Sequence, residues 1–269
     1  MTSYKGFTLI ELVIVIVITG IIAVALSVFM RAPIQSYFDT TRRADLADQA
    51  DNALRRIGRD LRLALPNSVR VATSGTSTSV EFLITRSAGR YRSELTSTGT
   101  GDILDFSSGT DNSFDVIGSS VQVTSGDQVV VYNLGIAGAS AYETGTVRRS
   151  FSGTAGTLGN IVYSATGNPF PFASPDNRFF VIASSPVSYN CNLTTGLLTR
   201  HSGYTISNAQ SVPATASGDI IASGVSNCSF TYDTSVNAQR VGLVTLVLTL
   251  SQSGESVRLY HAIHVSNSP

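Results

Sequence analysis

The sequence of 269 residues predicts an α+β protein in which one long N-terminal helix packs on a domain of antiparallel β-sheet. Three observations support this prediction. The first thirty residues are largely apolar, the segment that follows repeats apolar side chains at helical spacing, and the chain after Val69 alternates short β-like runs with turn-rich spacers. The amphipathic helix needs a surface to cover, and we expect the sheet to supply that surface.

Residues 7–30, from Phe7 to Met30, are predicted to form a transmembrane and assembly helix in which Glu11 is the only charged side chain. Such a helix is long enough to cross a bilayer core of about 30 Å. A charged side chain inside a membrane helix costs about 2.5–3.5 kcal/mol on insertion scales. Glu11 is therefore a candidate functional residue.

The residues before this helix differ from a secretory signal, in which the cleavage site follows the apolar core. Here residues 1–6 form a short leader that contains Lys5 and ends at Gly6, so a cut between Gly6 and Phe7 would leave the apolar helix on the mature chain. Lys5 is the only lysine. The new α-amine of Phe7 would then be the only aliphatic amine left, and it can carry a positive charge at neutral pH.

Residues 31–66 are predicted to form an amphipathic helix that continues into the globular domain. Pro33 is expected to kink or break the helix, and the segment Pro66-Asn67-Ser68 to end it. The apolar stripe comprises Leu46, Ala50, Ala53, Leu54, Ile57, Leu61, Ala64 and Leu65. Arginines occupy the opposite side, and they form either a solvated face with nearby aspartates or a contact with another subunit or a phosphate. These arginines are Arg55, Arg56, Arg59 and Arg62.

Residues 67–269 are predicted to form a β-rich globular domain. The clearest element is a hairpin in which residues 244–250 alternate apolar and polar side chains and residues 257–265 return along them. Residues 73–79 and 96–101 are expected to be exposed loops. The density of glycine and turn residues over about residues 99–175 is compatible with a long insertion. The other strand candidates are residues 80–85, 116–123, 128–133, 160–163, 178–183, 187–190, 220–225 and 228–233.

Composition limits the classes of function. Charged residues make up 13% of the chain and the formal net charge is zero, which argues against a nucleic-acid binder of the usual electrostatic kind. Cys191 and Cys228 are the only cysteines, and in an exported domain a disulfide between them is the simplest interpretation. A metal site built on the two cysteines lacks histidines at ligand spacing.

The search for catalytic, cofactor or metal residues identifies none. His201 is expected in a polar turn, and His261 and His264 are expected on the core face and the opposite face of one strand. Four aspartates lie between Asp102 and Asp115, where either a calcium-binding loop or a polar turn is conceivable. The proline-rich run at residues 168–175 carries Phe170 and Phe172, which either cap the core or meet a partner.

The string Gly6-Phe7-Thr8-Leu9-Ile10-Glu11 resembles the class III signal of type IV pilins and type II secretion pseudopilins. The resemblance implies a type IV pilin-like fold and cleavage between Gly6 and Phe7 by a prepilin peptidase. It also implies N-methylation of Phe7 and a role of Glu11 in subunit assembly. It places the N-terminus in the cytoplasm, the helix in the inner membrane and the domain in the periplasm, with the pilus at the cell surface after assembly.

Other segments resemble narrower groups. Residues 53–62 resemble J-type pseudopilins and PilW-like minor pilins. Residues 37–44, 63–70 and 264–269, and the Cys191–Cys228 pair, look like the MshO-like minor pilins of mannose-sensitive haemagglutinin (MSHA) pili. This implies a minor pilin that helps initiate assembly in the tip complex.

The partners that the resemblance implies are other minor pilins, the major pilin, the prepilin peptidase and the inner-membrane assembly platform. No nucleic acid is expected among them. Two alternatives remain open: a pilus-tip adhesin and a J-type pseudopilin of a type II secretion system.

Overall fold

The computed structural model describes residues 6–164, 169–233 and 241–269, and it confirms the predicted α+β class. Lys5 of the predicted leader and Asn168 of the proline-rich run lie outside the described residues. One α-helix precedes all of the described strands, and every described strand pairing is antiparallel.

The elements in chain order are α1 (Leu9–Arg62), β1 (Arg70–Ser74), β2 (Ser77–Phe82), β3 (Thr85–Tyr91), β4 (Ser113–Ile117), β5 (Val121–Val123), β6 (Gln128–Val131), β7 (Arg148–Ser150), β8 (Gly156–Leu158), β9 (Asn160–Val162), β10 (Arg178–Ile182), β11 (Val187–Asn192), β12 (Leu197–His201), β13 (Gly218–Ser223), β14 (Val225–Asp233), β15 (Val241–Gln252) and β16 (Glu255–Ser266). They form a five-stranded sheet of order β1-β2-β11-β12-β13, a six-stranded sheet of order β7-β6-β10-β3-β4-β9, a three-stranded sheet β14-β15-β16 and the pair β5-β8.

The helix α1 is continuous from Leu9 to Arg62, so Pro33 does not break it. Proline removes only one backbone hydrogen bond, and the neighbouring turns carry the helix past it. At the other end α1 stops before Pro66. The backbone N–H of Leu65 donates to the carbonyl of Leu83 at 2.7 Å, so the chain leaves the helix to pair with the segment after β2.

The second half of α1 is buried against two sheets. Its apolar stripe shares one core with alternate residues of β15 and β16 and with the inner faces of β2, β11 and β12. The stripe residues in this core are Leu46, Ala50, Ala53, Leu54, Ile57 and Leu61. The predicted apolar stripe therefore packs on β-sheet, as expected.

The chain between β2 and β11 is an insertion into the five-stranded sheet. Phe82 at the end of β2 pairs directly with Val187 at the start of β11, so residues 83–186 leave and return at one place. They form the six-stranded sheet and the pair β5-β8 around their own core, which includes Phe114, Phe179 and Tyr163. This insertion is wider than the predicted residues 99–175.

Several strand predictions can be compared directly with the structure. The predicted hairpin is present as β15 and β16, and its turn residues Ser253 and Gly254 both have positive φ, as a type I′ turn requires. The prediction of a loop over residues 73–79 is wrong, because β1 and β2 pair there through a tight turn at Gly75. The predicted strand over residues 116–123 is interrupted by Gly118, whose φ is 95°.

Candidate assembly helix

The first turn of α1 is closed by reciprocal hydrogen bonds between Thr8 and Glu11. The backbone N–H of Glu11 donates to Thr8 Oγ1 at 3.4 Å, while the backbone N–H and the hydroxyl of Thr8 donate to Glu11 Oε2 at 2.9 and 3.0 Å. This is a capping box, which satisfies two backbone donors that a helix start otherwise leaves without partners. The capping role of Thr8 was not predicted, although the spacing Thr-x-x-Glu is itself the signal of a capping box.

The structure brings the three predicted N-terminal site residues together. Gly6 and Phe7 lie directly before the cap and are exposed, and Glu11 lies in the first turn of α1. Both hydrogen bonds that the carboxylate accepts from Thr8 use Oε2. Cleavage, methylation and subunit pairing at these residues stay predictions.

The first half of α1, residues 9–30, carries apolar side chains on all sides, and all of its side chains are exposed. The first buried side chain described along the helix is that of Leu46. Within the described residues α1 is the one helix that is long and apolar enough to cross a membrane, and none of its apolar stretch is buried. A surface of this kind needs lipid or other apolar helices around it.

The polar side of the second half is not uniformly solvated. Asp60 turns toward the domain, where its carboxylate accepts hydrogen bonds from Tyr189 Oη at 2.7 Å and Arg200 Nε at 2.9 Å. Asp51 pairs with Arg55 at 2.6 Å. Arg56, Arg59 and Arg62 are exposed. For these three arginines the structure is compatible with both interpretations, a solvated face and a contact with another subunit or a phosphate.

A disulfide joins Cys191 and Cys228. Cys191 is fully buried on β11, and Cys228 lies on β14. The bond therefore connects the five-stranded sheet to the three-stranded sheet beside the helix. The two cysteines are 37 residues apart in sequence. Closing a loop of that length stabilises a fold by roughly 3–4 kcal/mol in the chain-entropy model.

The histidines occupy structural positions. His201 is buried at the end of β12, not in the polar turn that the sequence suggested, because its ring is held by Ala216 O at 2.7 Å and Thr199 Oγ1 at 2.8 Å. His261 is half-buried against Gly58 of the helix, and His264 is exposed. No group of three or more His, Cys, Asp and Glu side chains in the described ranges is placed to hold a metal ion.

The aspartates between Asp102 and Asp115 accept hydrogen bonds from donors of the protein itself. Asp115 accepts from the backbone N–H of Asp102 at 3.0 Å and from Asn160 and Arg92, and these bonds hold its pKa below the usual range. Asp111 accepts from the backbone N–H of Asp105 at 2.8 Å. This is the arrangement of a polar turn.

The two phenylalanines of the proline-rich run have different surroundings. Phe170 is buried in the core of the insertion, and the Arg149 guanidinium lies 4.8 Å from its ring centre. Phe172 is exposed. Of the two phenylalanines, therefore, only Phe170 caps the core.

The sequence analysis also missed a buried charged cluster. Glu81, on the face of β2 that points away from α1, accepts from Arg70 Nε at 2.9 Å and from Tyr204 Oη at 2.8 Å. The same guanidinium donates to the carbonyls of Ser207 and Asn208. The cluster fixes the loop after β12 onto the sheet. Its members are far apart in sequence, so no local sequence pattern predicts the cluster.

Comparison with protein-family models matches residues 1–27 to the prokaryotic N-terminal methylation motif. No curated protein and no solved structure matches the chain. The motif indicates a type IV pilin or pseudopilin and suggests a structural subunit. It implies processing by the prepilin peptidase and assembly with other pilins. The single apolar helix fits anchoring in the inner membrane before assembly. The match gives no support to the narrower MshO-like resemblance.

Proposed function

We propose that this chain is a minor pilin that helps initiate assembly of an MSHA-type type IV pilus and forms part of its tip complex. The observation that supports a subunit role is the first half of α1, whose apolar side chains contact no other described element of the chain. The minor class is supported by the long chain and by the insertion over residues 83–186, since major pilins are usually shorter. The MSHA assignment rests on the resemblance of residues 37–44, 63–70 and 264–269.

Glu11 gives this helix its proposed chemistry. After removal of residues 1–6, the subunit waits in the inner membrane with its domain in the periplasm. In lipid the carboxylate is costly, and pairing with the Phe7 ammonium of a neighbouring subunit offsets that cost. Thr8 already holds Oε2, so Oε1 is the oxygen available to the neighbour. Breaking such a buried pair costs about 3–5 kcal/mol.

The test compares Glu11→Gln with Thr8→Ala in the full chain. Glutamine preserves the capping box and removes only the charge, whereas Thr8→Ala weakens the cap by about 1 kcal/mol and keeps the carboxylate. We expect Glu11→Gln to reduce pilus number strongly and Thr8→Ala to reduce it slightly. Glu94→Gln, at an exposed carboxylate of the insertion, is the control. Pili are counted by electron microscopy.

The intact mass of the membrane-extracted protein shows whether the variants are processed alike. Loss of residues 1–6 and gain of one methyl group are expected in all of them. An uncut N-terminus in the natural sequence would overturn the proposal. Unchanged pilus number with reduced adhesion in Glu11→Gln would indicate a tip adhesin. A secretion defect without a pilus defect would indicate a J-type pseudopilin.

The adhesin is the second candidate because of the insertion. Residues 83–186 enclose a core of their own, and Phe172, in the segment between β9 and β10, is exposed. A module of this kind can carry a binding surface without affecting the helix. Replacing Phe172 by Ser should then reduce adhesion and leave pilus number unchanged.

A further inference from the structure

The six-stranded sheet of the insertion has one face that is rich in arginine. Phe179 of β10 and Val129 of β6 belong to the core of the insertion, and the Phe179 ring lies against Gly89 of β3. Side chains alternate along a strand, so the residues next to these point to the other face of the sheet. Four arginines lie on that other face, which we call the basic face: Arg86 and Arg90 of β3, Arg148 of β7 and Arg178 of β10.

Two of these arginines have carboxylate partners within the chain. Arg86 binds Asp127 at 2.8 Å, and because the Asp127 side chain is buried this pair belongs to the fold. Arg178 binds Asp176 at 2.7 Å, but Asp176 is exposed. A guanidinium has five N–H donors, so the contact with Asp176 leaves donors of Arg178 for a ligand.

Arg90 and Arg148 form no ion pair with any residue that the structure describes. Arg90 is exposed and lies directly opposite Arg178 in the pairing of β3 with β10, where like charges repel. Arg148 is half-buried, and it donates from Nη1 to Gln128 Oε1 at 3.1 Å while its buried Nε has no partner. An anion on the basic face would stabilise both arginines.

The positions of these arginines suit a ligand with separated charges. Opposite residues of an antiparallel pair have Cβ atoms about 5 Å apart, so Arg90 and Arg178 can hold one anionic group together. Arg148 is on β7, two strands away from β10, which places it about 10 Å to the side. Apolar side chains lie between the two positions: Phe180 is partly exposed and Ala88, opposite it, is exposed.

We propose that the basic face of the insertion binds an acidic polysaccharide, with one carboxylate held by Arg90 and Arg178 and a second carboxylate held by Arg148. The planar guanidinium matches the two oxygens of a carboxylate. The C–H faces of the sugar rings between the carboxylates would lie on Phe180 and Ala88. This inference goes beyond the proposed function, because it assigns a ligand to the insertion and uses no feature of the assembly helix.

The charge around the basic face favours a polysaccharide over a nucleic acid. The six arginines and eight acidic residues of residues 83–186 give the insertion a formal charge of −2. Beyond the end of β3 the next arginine, Arg92, is bound by Asp115 at 3.1 Å, so the positive surface does not continue. Duplex DNA carries one charge per about 1.7 Å and would bring phosphates against these acids. Carboxylates that are farther apart can meet the arginines alone.

Binding to hyaluronate, which carries one carboxylate per disaccharide, tests the proposal. The full chain is purified in a neutral detergent, and its affinity for immobilised hyaluronate is measured by biolayer interferometry, with neutral dextran as the control polymer. Arg90→Gln and Arg148→Gln should each weaken binding by about threefold to tenfold, since each removes one ion pair with the ligand. Arg258→Gln removes the same charge at an exposed position of β16 and should leave the affinity unchanged.

Two further variants separate recognition of a carboxylate from general attraction. Asp176→Asn should strengthen binding by about twofold to fivefold, because it frees Arg178 and removes a repulsive charge. Arg90→Lys keeps the charge but cannot hold a carboxylate with two parallel bonds, so it should recover only part of the affinity lost in Arg90→Gln. Unfolding temperatures of all variants in the same detergent show that the domain remains folded.

The outcomes that would overturn the proposal are distinct. They are absence of hyaluronate binding, equal losses in Arg90→Gln and Arg258→Gln, or weaker binding in Asp176→Asn. Tighter binding to duplex DNA than to hyaluronate at equal charge concentration would overturn it in favour of a nucleic acid. Pilus number should stay normal in Arg90→Gln, and a loss of pili would show that this face contacts a subunit instead. Absence of hyaluronate binding with normal pili would leave the proposed function in place.

Discussion

In the first half of α1, residues 9–30, apolar side chains point to every side of the helix, whereas the half from Leu46 to Arg62 turns them to one face. The second half obtains its environment from its own chain, through the sheets on which Ile57 and Leu54 are buried. The first half must obtain it from lipid or from other subunits. The second half of this continuous helix therefore stabilises the domain, and the first half is available for association with lipid or with other molecules.

The largest difference between the halves should follow from placing a carboxylate in each. Ile57 is fully buried, so Ile57→Asp leaves an unpaired charge in the core and should destabilise the domain by more than about 4 kcal/mol. Ile16→Asp should leave the unfolding temperature of the domain unchanged, because Ile16 contacts none of it. Thermal unfolding of the full chain in detergent, followed by near-ultraviolet circular dichroism, measures both. Equal losses would show that the halves are coupled.

A smaller effect should follow from removing the disulfide beside the buried half. Replacing Cys191 and Cys228 together by serine should cost roughly 3–4 kcal/mol of unfolding free energy. Membrane retention of the first half should not change. Urea unfolding of the full chain in detergent, with and without a reductant, measures the loss. A reductant should lower the unfolding free energy of the natural protein and leave that of the double serine variant unchanged.

The smallest effect concerns tyrosines that are buried or partly buried in the domain. Burial and the hydrogen bond to Asp60 raise the pKa of Tyr189, and burial raises the pKa of Tyr142 and Tyr204. Above a pH of about 10 the unfolded chain releases these protons before the folded chain does, so stability falls as the pH rises.

Tyr189→Phe should cost about 1–2 kcal/mol at neutral pH, because the hydrogen bond to a charged group is lost. It should also make the alkaline loss of stability less steep, and unfolding temperatures between pH 8 and pH 11 measure the slope. Tyr37→Phe, at an exposed position of α1 before Leu46, is the matched control. An unchanged slope in Tyr189→Phe would contradict the explanation.

The elements that the sequence predicted well have local causes. The amphipathic stripe and the alternation in β15 and β16 repeat within a few residues, and the signal around Gly6, Phe7 and Glu11 is a short string. The helix was predicted in two parts because Pro33 is locally unfavourable, but one lost hydrogen bond does not outweigh the turns on either side.

The elements that escaped prediction depend on distant residues. β3 and β12 contain Arg, Ser, Gly and Thr, and they are strands because β10 and β11 pair with them. The Arg70–Glu81–Tyr204 cluster and the bond from Tyr189 to Asp60 join positions that lie on separate elements. Strand order and polar partners of this kind cannot be inferred from spacing alone.

The adjacency of Phe82 and Val187 has a mechanical consequence. A pull on the insertion would enter the five-stranded sheet along β2 and β11 together, so the hydrogen bonds to their outer neighbours would be loaded in shear and would share the tension. From β11 the Cys191–Cys228 bond passes tension covalently to β14, and the three-stranded sheet passes it to the helix. The insertion is thereby connected to α1 through one strand, one disulfide and one sheet.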